Sequence, residues 1–270
     1  MKYSANLFES IKEALNKKSS GDSSFKDFLK LEVGNTYIVR LVPNLKEPEK
    51  TIFNYYHHLW DSVLTNEKVS VFCPTSYGER CPIDEYRSKV YKSNNEAEIE
   101  RIKPIKRNEN WLVNVYVVKD PTNPDNQGQV KILRYGKQLD KVIQEAMHGE
   151  DMKDFGPRIF DMSEDGCNLR IKVDKNDKGY PNYTSSRFLT KSELEGNPNV
   201  DEIYQAVKNL DTIFEHKSYD EIKRLLNVHF LGIEDTPVVS KSTSKQVEEE
   251  EAYSVGVEQT TYAPTPSKAT

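Results

Sequence analysis

The sequence predicts an α+β fold, on three observations. Two strand-like runs, residues 111–119 and 130–135, flank the turn-forming segment Asp120-Pro121-Thr122-Asn123-Pro124-Asp125-Asn126-Gln127-Gly128 and read as a β-ribbon. A second ribbon is expected around Gly179-Tyr180-Pro181-Asn182-Tyr183. Nearer the C-terminus, Ile203, Tyr204, Val207 and Leu210, then Ile222, Leu225 and Leu226, keep a helical period, so residues 201–214 and 219–230 are expected as helices.

In chain order, residues 2–18 set Leu7, Phe8, Ile11 and Leu15 at helical spacing, with Lys17-Lys18-Ser19-Ser20 at the exit and Gly21-Asp22-Ser23-Ser24 as a joint. Residues 1–24 are therefore expected to form a flexible amphipathic arm. Residues 37–42 begin the globular part as a strand, and residues 54–60 form a dense aromatic and histidine cluster. From about Val239 the large apolar residues give way to Ser, Thr, Lys, Pro and the run Glu248-Glu249-Glu250-Glu251, so residues 239–270 are expected to be disordered. The folded core is expected over residues 25–238.

Composition bounds the function. With 270 residues, 36% hydrophobic and 30% charged, the chain can bury one sizeable core and a small second module. No apolar run approaches the roughly 18 residues of a membrane span, and acids and lysines occupy residues 1–20 where a signal peptide needs an apolar stretch, so a cytoplasmic protein is expected. Cys73, Cys81 and Cys167 are too few for a disulfide framework and read as thiols or metal ligands. His-Glu-X-X-His, Gly-X-Ser-X-Gly and Walker patterns are absent from the sequence, which argues against an enzyme. Asp174-Lys175-Asn176-Asp177-Lys178-Gly179 fails as a calcium loop, because Lys178 takes a ligand position and Ser185 stands where a bidentate Glu is needed.

The ribbons carry the chemistry. Lys103, Lys106, Arg107, Lys119, Lys131, Arg134, Lys137 and Lys141 lie on or beside the first, with Trp111, Tyr116 and Tyr135 among them. Arg170, Lys172, Lys175 and Lys178 lead into Tyr180 and Tyr183 on the second. Cations and flat π-faces on one surface suit single-stranded nucleic acid, where each nucleotide offers a phosphate and an exposed ring. The competing reading makes the valines and one aromatic face ordinary core and the lysines a solvated sheet face. The net charge of −5 does not decide between them, since it says nothing about where charges sit. An RNA-binding OB or cold-shock-like module would use the same ribbons. An adaptor recruiting partners through arm and tail would show no salt-dependent affinity for DNA.

Cys73 with Cys81-Pro82-Ile83-Asp84-Glu85-Tyr86, then residues 111–121, 128–137 and 168–188, resemble in kind and order the single-stranded-DNA-binding, helix-destabilising proteins of T-even-type bacteriophages. The likeness covers roughly residues 35–230 and rests most on Asn-hydrophobic-Val-Val-Lys-Asp-Pro followed by Arg-aromatic-Gly-Lys. It implies an OB-like five-stranded β-barrel core, with an adjoining small zinc-binding-type subdomain at about residues 55–95. It further implies an N-terminal arm that binds the neighbouring protomer on DNA, and a C-terminal tail that docks phage replication and recombination proteins. The implied function is cooperative, largely sequence-independent binding of single-stranded DNA during phage DNA replication, recombination and repair, in the host cytoplasm.

Residue by residue, Trp111 stands where the family has a cleft tyrosine, Arg107 and Arg134 where it has arginines, and Tyr180 and Tyr183 where it has Phe and Tyr. Tyr86 matches a family tyrosine, and Tyr77 and Tyr91 lie close to aromatic positions. Leu133 and Ile102 occupy two cleft-tyrosine positions, which implies fewer stacking platforms and more reliance on Trp111. The expected DNA-binding set is Lys106, Arg107, Trp111, Tyr116, Lys131, Arg134, Tyr135, Lys137, Arg170, Lys172, Tyr180, Tyr183, Tyr86 and Tyr91. Lys17, Lys18, Ser19 and Ser20 are the nearest counterpart of the family's basic, hydroxyl-rich cooperativity motif.

The resemblance also implies a zinc site of one His and three Cys, the last two in a Cys-Pro-X-Cys knuckle. Here the knuckle ends in Asp84, so the set becomes His58 (or His57), Cys73, Cys81 and Asp84. A carboxylate binds zinc at about 2.0 to 2.2 Å, so one structural Zn²⁺ is chemically possible. The alternative is a metal-free loop held by Tyr55, Tyr56, Trp60 and Phe72. Cys167, isolated in sequence, is expected as a small buried residue.

Overall fold

A strand buried on both faces must be apolar on both, and Val113, Val115, Val117 and Leu112 make strand β4 (Arg107–Lys119) such a strand. The computed structural model describes residues 26–233. In it β4 is the centre of a seven-stranded antiparallel sheet with β1 (Thr36–Leu41), β2 (Ile52–Asp61), β3 (Lys68–Phe72), β5 (Val130–Tyr135), β6 (Cys167–Lys172) and β9 (Arg187–Lys191). The order is β3-β2-β4-β1-β6-β9, and β5 joins the other edge of β4. Trp111 thus pairs with Asn54 of β2 on one side and Tyr135 of β5 on the other. Strands β7 (Asp174–Lys175) and β8 (Pro181–Asn182) form a separate hairpin. Both ribbons expected from the sequence are present.

Alternation sorts the side chains of β4. Val113, Val115 and Val117 meet Tyr37, Val39, Leu133, Tyr135, Leu169 and Ile171, under Leu139, Ile143 and Ala146 of helix α3 (Lys137–His148). Each of the valines, leucines and isoleucines among them contributes about 1.5 to 3 kcal/mol on burial. On the reverse face, Leu112 packs with Tyr55, Ile132 and Leu210, and Tyr116 with Val42, Met162 and Leu194. Arg40 is fully buried on the reverse face, yet every donor group of its guanidinium finds an acceptor: Asn168 Oδ1, and the carbonyls of Asp161, Ser163 and Ser192. Gly166 lies against this guanidinium, where a Cβ would come within 2.3 Å of Arg40 Nη1.

A satellite core joins the β2–β3 hairpin to α1 (Pro82–Ser93) and α5 (Tyr219–Leu226) through Trp60, Val71, Ile83, Ile105, Ile222 and Phe230. Two short helices, α2 (Glu96–Arg101) and α4 (Val200–Gln205), complete the five helices among the described residues. The expected helix over residues 201–214 is corrected: α4 ends at Gln205. Asn114 on β4 explains the stop, because its side chain bonds both the Lys208 carbonyl (2.9 Å) and the Lys208 N–H (3.0 Å) and holds that backbone out of a helix. The chain then lays Leu210, Ile213 and Phe214 against Tyr55. The helix expected over residues 219–230 is α5 with a capping box of Ser218 and Glu221, followed by a wide turn, Asn227–Leu231.

Candidate nucleic-acid interface and metal site

Residues 107, 109 and 111 of β4 point to one face and are cross-strand neighbours of His58, Tyr56 and Asn54 on β2. The Arg107 guanidinium lies 4.4 Å above the Tyr56 ring. Glu109 accepts from the Asn54 amide and the Tyr56 hydroxyl, both at 3.3 Å, and pairs with Lys137 Nζ at 3.7 Å. The half-buried Trp111 ring is stacked on Tyr135, with centroids 5.9 Å apart and planes within 15°. Tyr135 is wholly buried, so it backs the indole as a rigid second layer. Arg107 and Trp111 are about 13 Å apart along the strand at ~3.3 Å per residue.

The strip continues onto α1, where Asp84, Arg87 and Tyr91 sit at i, i+3 and i+7 on one face. Arg107 Nη1 donates to Asp84 Oδ2 at 3.4 Å and to Thr75 Oγ1 at 3.3 Å, joining strand to helix. Arg87 lies 5.7 Å from the centre of the Tyr91 ring, which is 45% exposed. Cations and ring faces therefore alternate from Tyr91 through Arg107 and Tyr56 to Trp111 and Lys137.

Beneath this strip, His58, Cys73, Cys81 and Asp84 bring four potential ligand atoms within 4.8 Å of one another. Cys81 Sγ is 3.5 Å and Asp84 Oδ1 3.9 Å from His58 Nε2, and Cys73 Sγ is 3.5 Å from Asp84 Oδ2. The carbonyl of Ile105, 3.0 Å from His58 Nδ1, can only accept, so the neutral ring carries its proton there and turns the Nε2 lone pair to the other three ligands. The hydrogen bond between the two thiols raises the acidity of Cys81 and lowers that of Cys73, whose burial pushes its thiol further up. Asp84 sits in the first turn of α1, after Pro82 at its start, where the helix dipole favours an acid. Two sulfurs, an imidazole nitrogen and a carboxylate converging in this way fit zinc. His57 faces the other way, bonded to the Asn110 amide at 3.0 Å.

A family model described as "gp32 DNA binding protein like" matches residues 33–229. The chain belongs to this family. It is 29% identical over 206 residues to the single-stranded DNA-binding protein of Enterobacteria phage T4, covering 68% of this chain and 64% of that protein. To the protein of the same name from Enterobacteria phage T2 it is 31% identical over 166 residues, covering 56% and 51%. The chain thus aligns with between half and two thirds of the length of these curated relatives.

Of the sequence-predicted residues in this family member, the structure brings Arg107, Trp111, Lys137 and Tyr91 onto one strip, with Lys106 exposed just before β4. Tyr116, at 6% exposure, and Arg134, at 8%, are corrected to the reverse face, since residues of opposite strand parity cannot share a face. Tyr135 and Tyr183 are corrected as platforms because both rings are buried in the main core. The Tyr183 N–H donates to Gln138 Oε1 at 2.7 Å, seating the second ribbon beside the start of α3, while Tyr180 is exposed near the tip. Tyr86 packs edge-on against Phe230 in the satellite core. Lys131 Nζ bonds the Lys26 carbonyl at 2.9 Å, and Lys172 pairs with Asp174 at 3.0 Å. Arg170 and Lys172 alternate with the buried Leu169 and Ile171 and so lie on the reverse face. Lys17, Lys18, Ser19 and Ser20 lie outside the described residues. Sequence reasoning placed Tyr56 only in an aromatic cluster, although its parity with Asn54 and His58 on a strand could have shown its face.

Proposed function

We propose that this chain binds single-stranded DNA along the strip from Tyr91 to Lys137, with Trp111 as the principal stacking platform and Arg107 and Lys137 as phosphate contacts. The stacked Trp111–Tyr135 pair between two cations carries the reading, in a chain of this DNA-binding family. Stacking accepts any base, so the binding has little sequence preference and serves to protect strands and remove their secondary structure. We assign this activity to phage DNA replication, recombination and repair in the host cytoplasm; among the described residues no helix is long and apolar enough to cross a membrane. We read β1, β2, β4, β5 and β6 as a five-stranded OB-like barrel, supported by the pairing of β4 along both of its edges. His58, Cys73, Cys81 and Asp84 would hold zinc, which when bound cross-links β2, the loop after β3 and α1.

Residues 1–24 are proposed to link protomers on DNA through Lys17-Lys18-Ser19-Ser20, and residues 239–270 to recruit phage replication and recombination proteins. Five glutamates against three lysines give the tail from Ser240 a net charge of −2, so it competes only weakly with DNA at 0.15 M salt. The deciding experiment is a salt series of binding to a single-stranded oligomer, its matching duplex and the equivalent RNA. A steep salt dependence with preference for single-stranded DNA is expected. Equal binding to RNA would favour an RNA module, and no salt-dependent binding an adaptor. Deleting residues 1–20 should leave affinity for a short oligomer intact and abolish cooperative coating of a long strand.

A further inference from the structure

We propose that the Asp84 carboxylate is shared between the metal site and Arg107, so that metal and DNA bind this chain with positive cooperativity. The inference rests on the reading of Arg107 as a phosphate contact. The Asp84 carboxylate touches both groups: Oδ1 lies 3.9 Å from His58 Nε2, and Oδ2, 3.5 Å from Cys73 Sγ, also accepts from Arg107 at 3.4 Å. One carboxylate carries one negative charge. A divalent cation on Asp84 draws that charge away from Arg107, and a phosphate taken by Arg107 returns the carboxylate to the metal.

Arg107 does not depend on Asp84 for its position, because Thr75 Oγ1 at 3.3 Å and the Tyr56 ring at 4.4 Å also hold it. Thr75 in turn lies 3.0 Å from Cys73 Sγ, so the residues around the arginine are those around the ligands. A thiolate at position 84 would ligate through a single atom and offer no second oxygen to the guanidinium, so the coupling belongs to the Asp-containing set. Asp84 and Arg107 side chains are 24% and 41% exposed, and a pair this open changes affinity about 2- to 5-fold. Linkage makes the factor reciprocal: DNA tightens zinc as much as zinc tightens DNA.

The test is zinc affinity of the full chain by chelator competition, with and without a short oligothymidylate, in wild type, Arg107→Gln, Asp84→Cys and the double variant, with DNA binding followed by anisotropy. Wild type should hold zinc about 2- to 5-fold more tightly with oligomer present. Arg107→Gln should gain a similar factor without DNA and lose the response to DNA. In the Asp84→Cys background, both effects should shrink towards unity. Equal gains from Arg107→Gln in both backgrounds would show simple charge repulsion and overturn the proposal, as would a wild type whose zinc affinity ignores bound oligomer or that binds no zinc. Absence of DNA binding by anisotropy would sink the functional reading instead, while the DNA-free comparison of Arg107→Gln in the two backgrounds still decides the sharing. If Arg107→Gln fails to fold, Asp84→Cys alone decides: a DNA response undiminished from wild type overturns the proposal.

Discussion

Replacing Trp111 by Ala removes an indole whose stacked neighbour, Tyr135, is buried and cannot move out to substitute for it. Stacking on an aromatic platform contributes about 1 to 3 kcal/mol per base, so Trp111→Ala should weaken single-strand binding by about 5- to 150-fold, equally for thymidine and adenosine oligomers. The same change removes a half-buried ring packed against the main core, which costs about 2 kcal/mol of stability, below the range for fully buried Trp→Ala. Trp111→Phe separates the two effects: it keeps a platform and should recover most of the affinity. The chain has two tryptophans, and Trp60 is only 3% exposed in the satellite core, so fluorescence quenching by DNA should come from Trp111. Anisotropy titrations supply the affinities, and quenching in Trp60→Phe against Trp111→Phe supplies the assignment. A folded Trp111→Ala that binds as wild type, or quenching that disappears with Trp60, would place the DNA elsewhere.

Lys137→Ala should lower the salt slope of binding by about 0.7, the single-strand value per phosphate, whereas Arg134→Ala, at a buried site on the reverse face, should lower the melting temperature and leave the slope unchanged. Zinc should raise the melting temperature and a chelator lower it, with metal measured by elemental analysis; a chain without metal whose melting ignores added zinc would refute the site. Burial pushes the Asp120 carboxyl up, but hydrogen bonds from Asn126, Asn123 and Thr122 outweigh this and hold it below its ordinary value. Its contribution is therefore present above the unfolded value near ~3.9 and fades as pH falls through the folded one. Asp120→Asn should cost about 1 to 3 kcal/mol at pH 7 and progressively less in acid, measured by urea unfolding at several pH values; a gap that widens in acid would contradict this.

What the sequence made legible follows from what period and chemistry encode. Strand β5 matched its expected bounds, and β4 extends the expected run by four residues into Arg107, because alternating β-branched residues mark a strand whatever packs on it. Leu139, Ile143 and Ala146 carried an equally plain helical spacing for α3, but reading Lys137 and Lys141 as part of the ribbon's basic face hid it. The end of α4 was not legible, since it depends on Asn114, some ninety residues earlier, reaching the Lys208 backbone. The site was half legible for a simpler reason. Residue types alone placed Trp111, Tyr116, Arg134 and Tyr135 in one groove, yet the period of two along any strand sets 111 and 116 on opposite faces, and 134 and 135 likewise. Parity together with register would have kept Trp111, set Tyr135 beneath it on the same face, rejected Tyr116 and Arg134, and drawn Tyr56 in through Glu109. Register is the missing datum, because it is set by long-range pairing of β2 with β4. That same pairing sets Arg107 over Tyr56 and beside Asp84, joining the proposed DNA-binding strip to the candidate metal site.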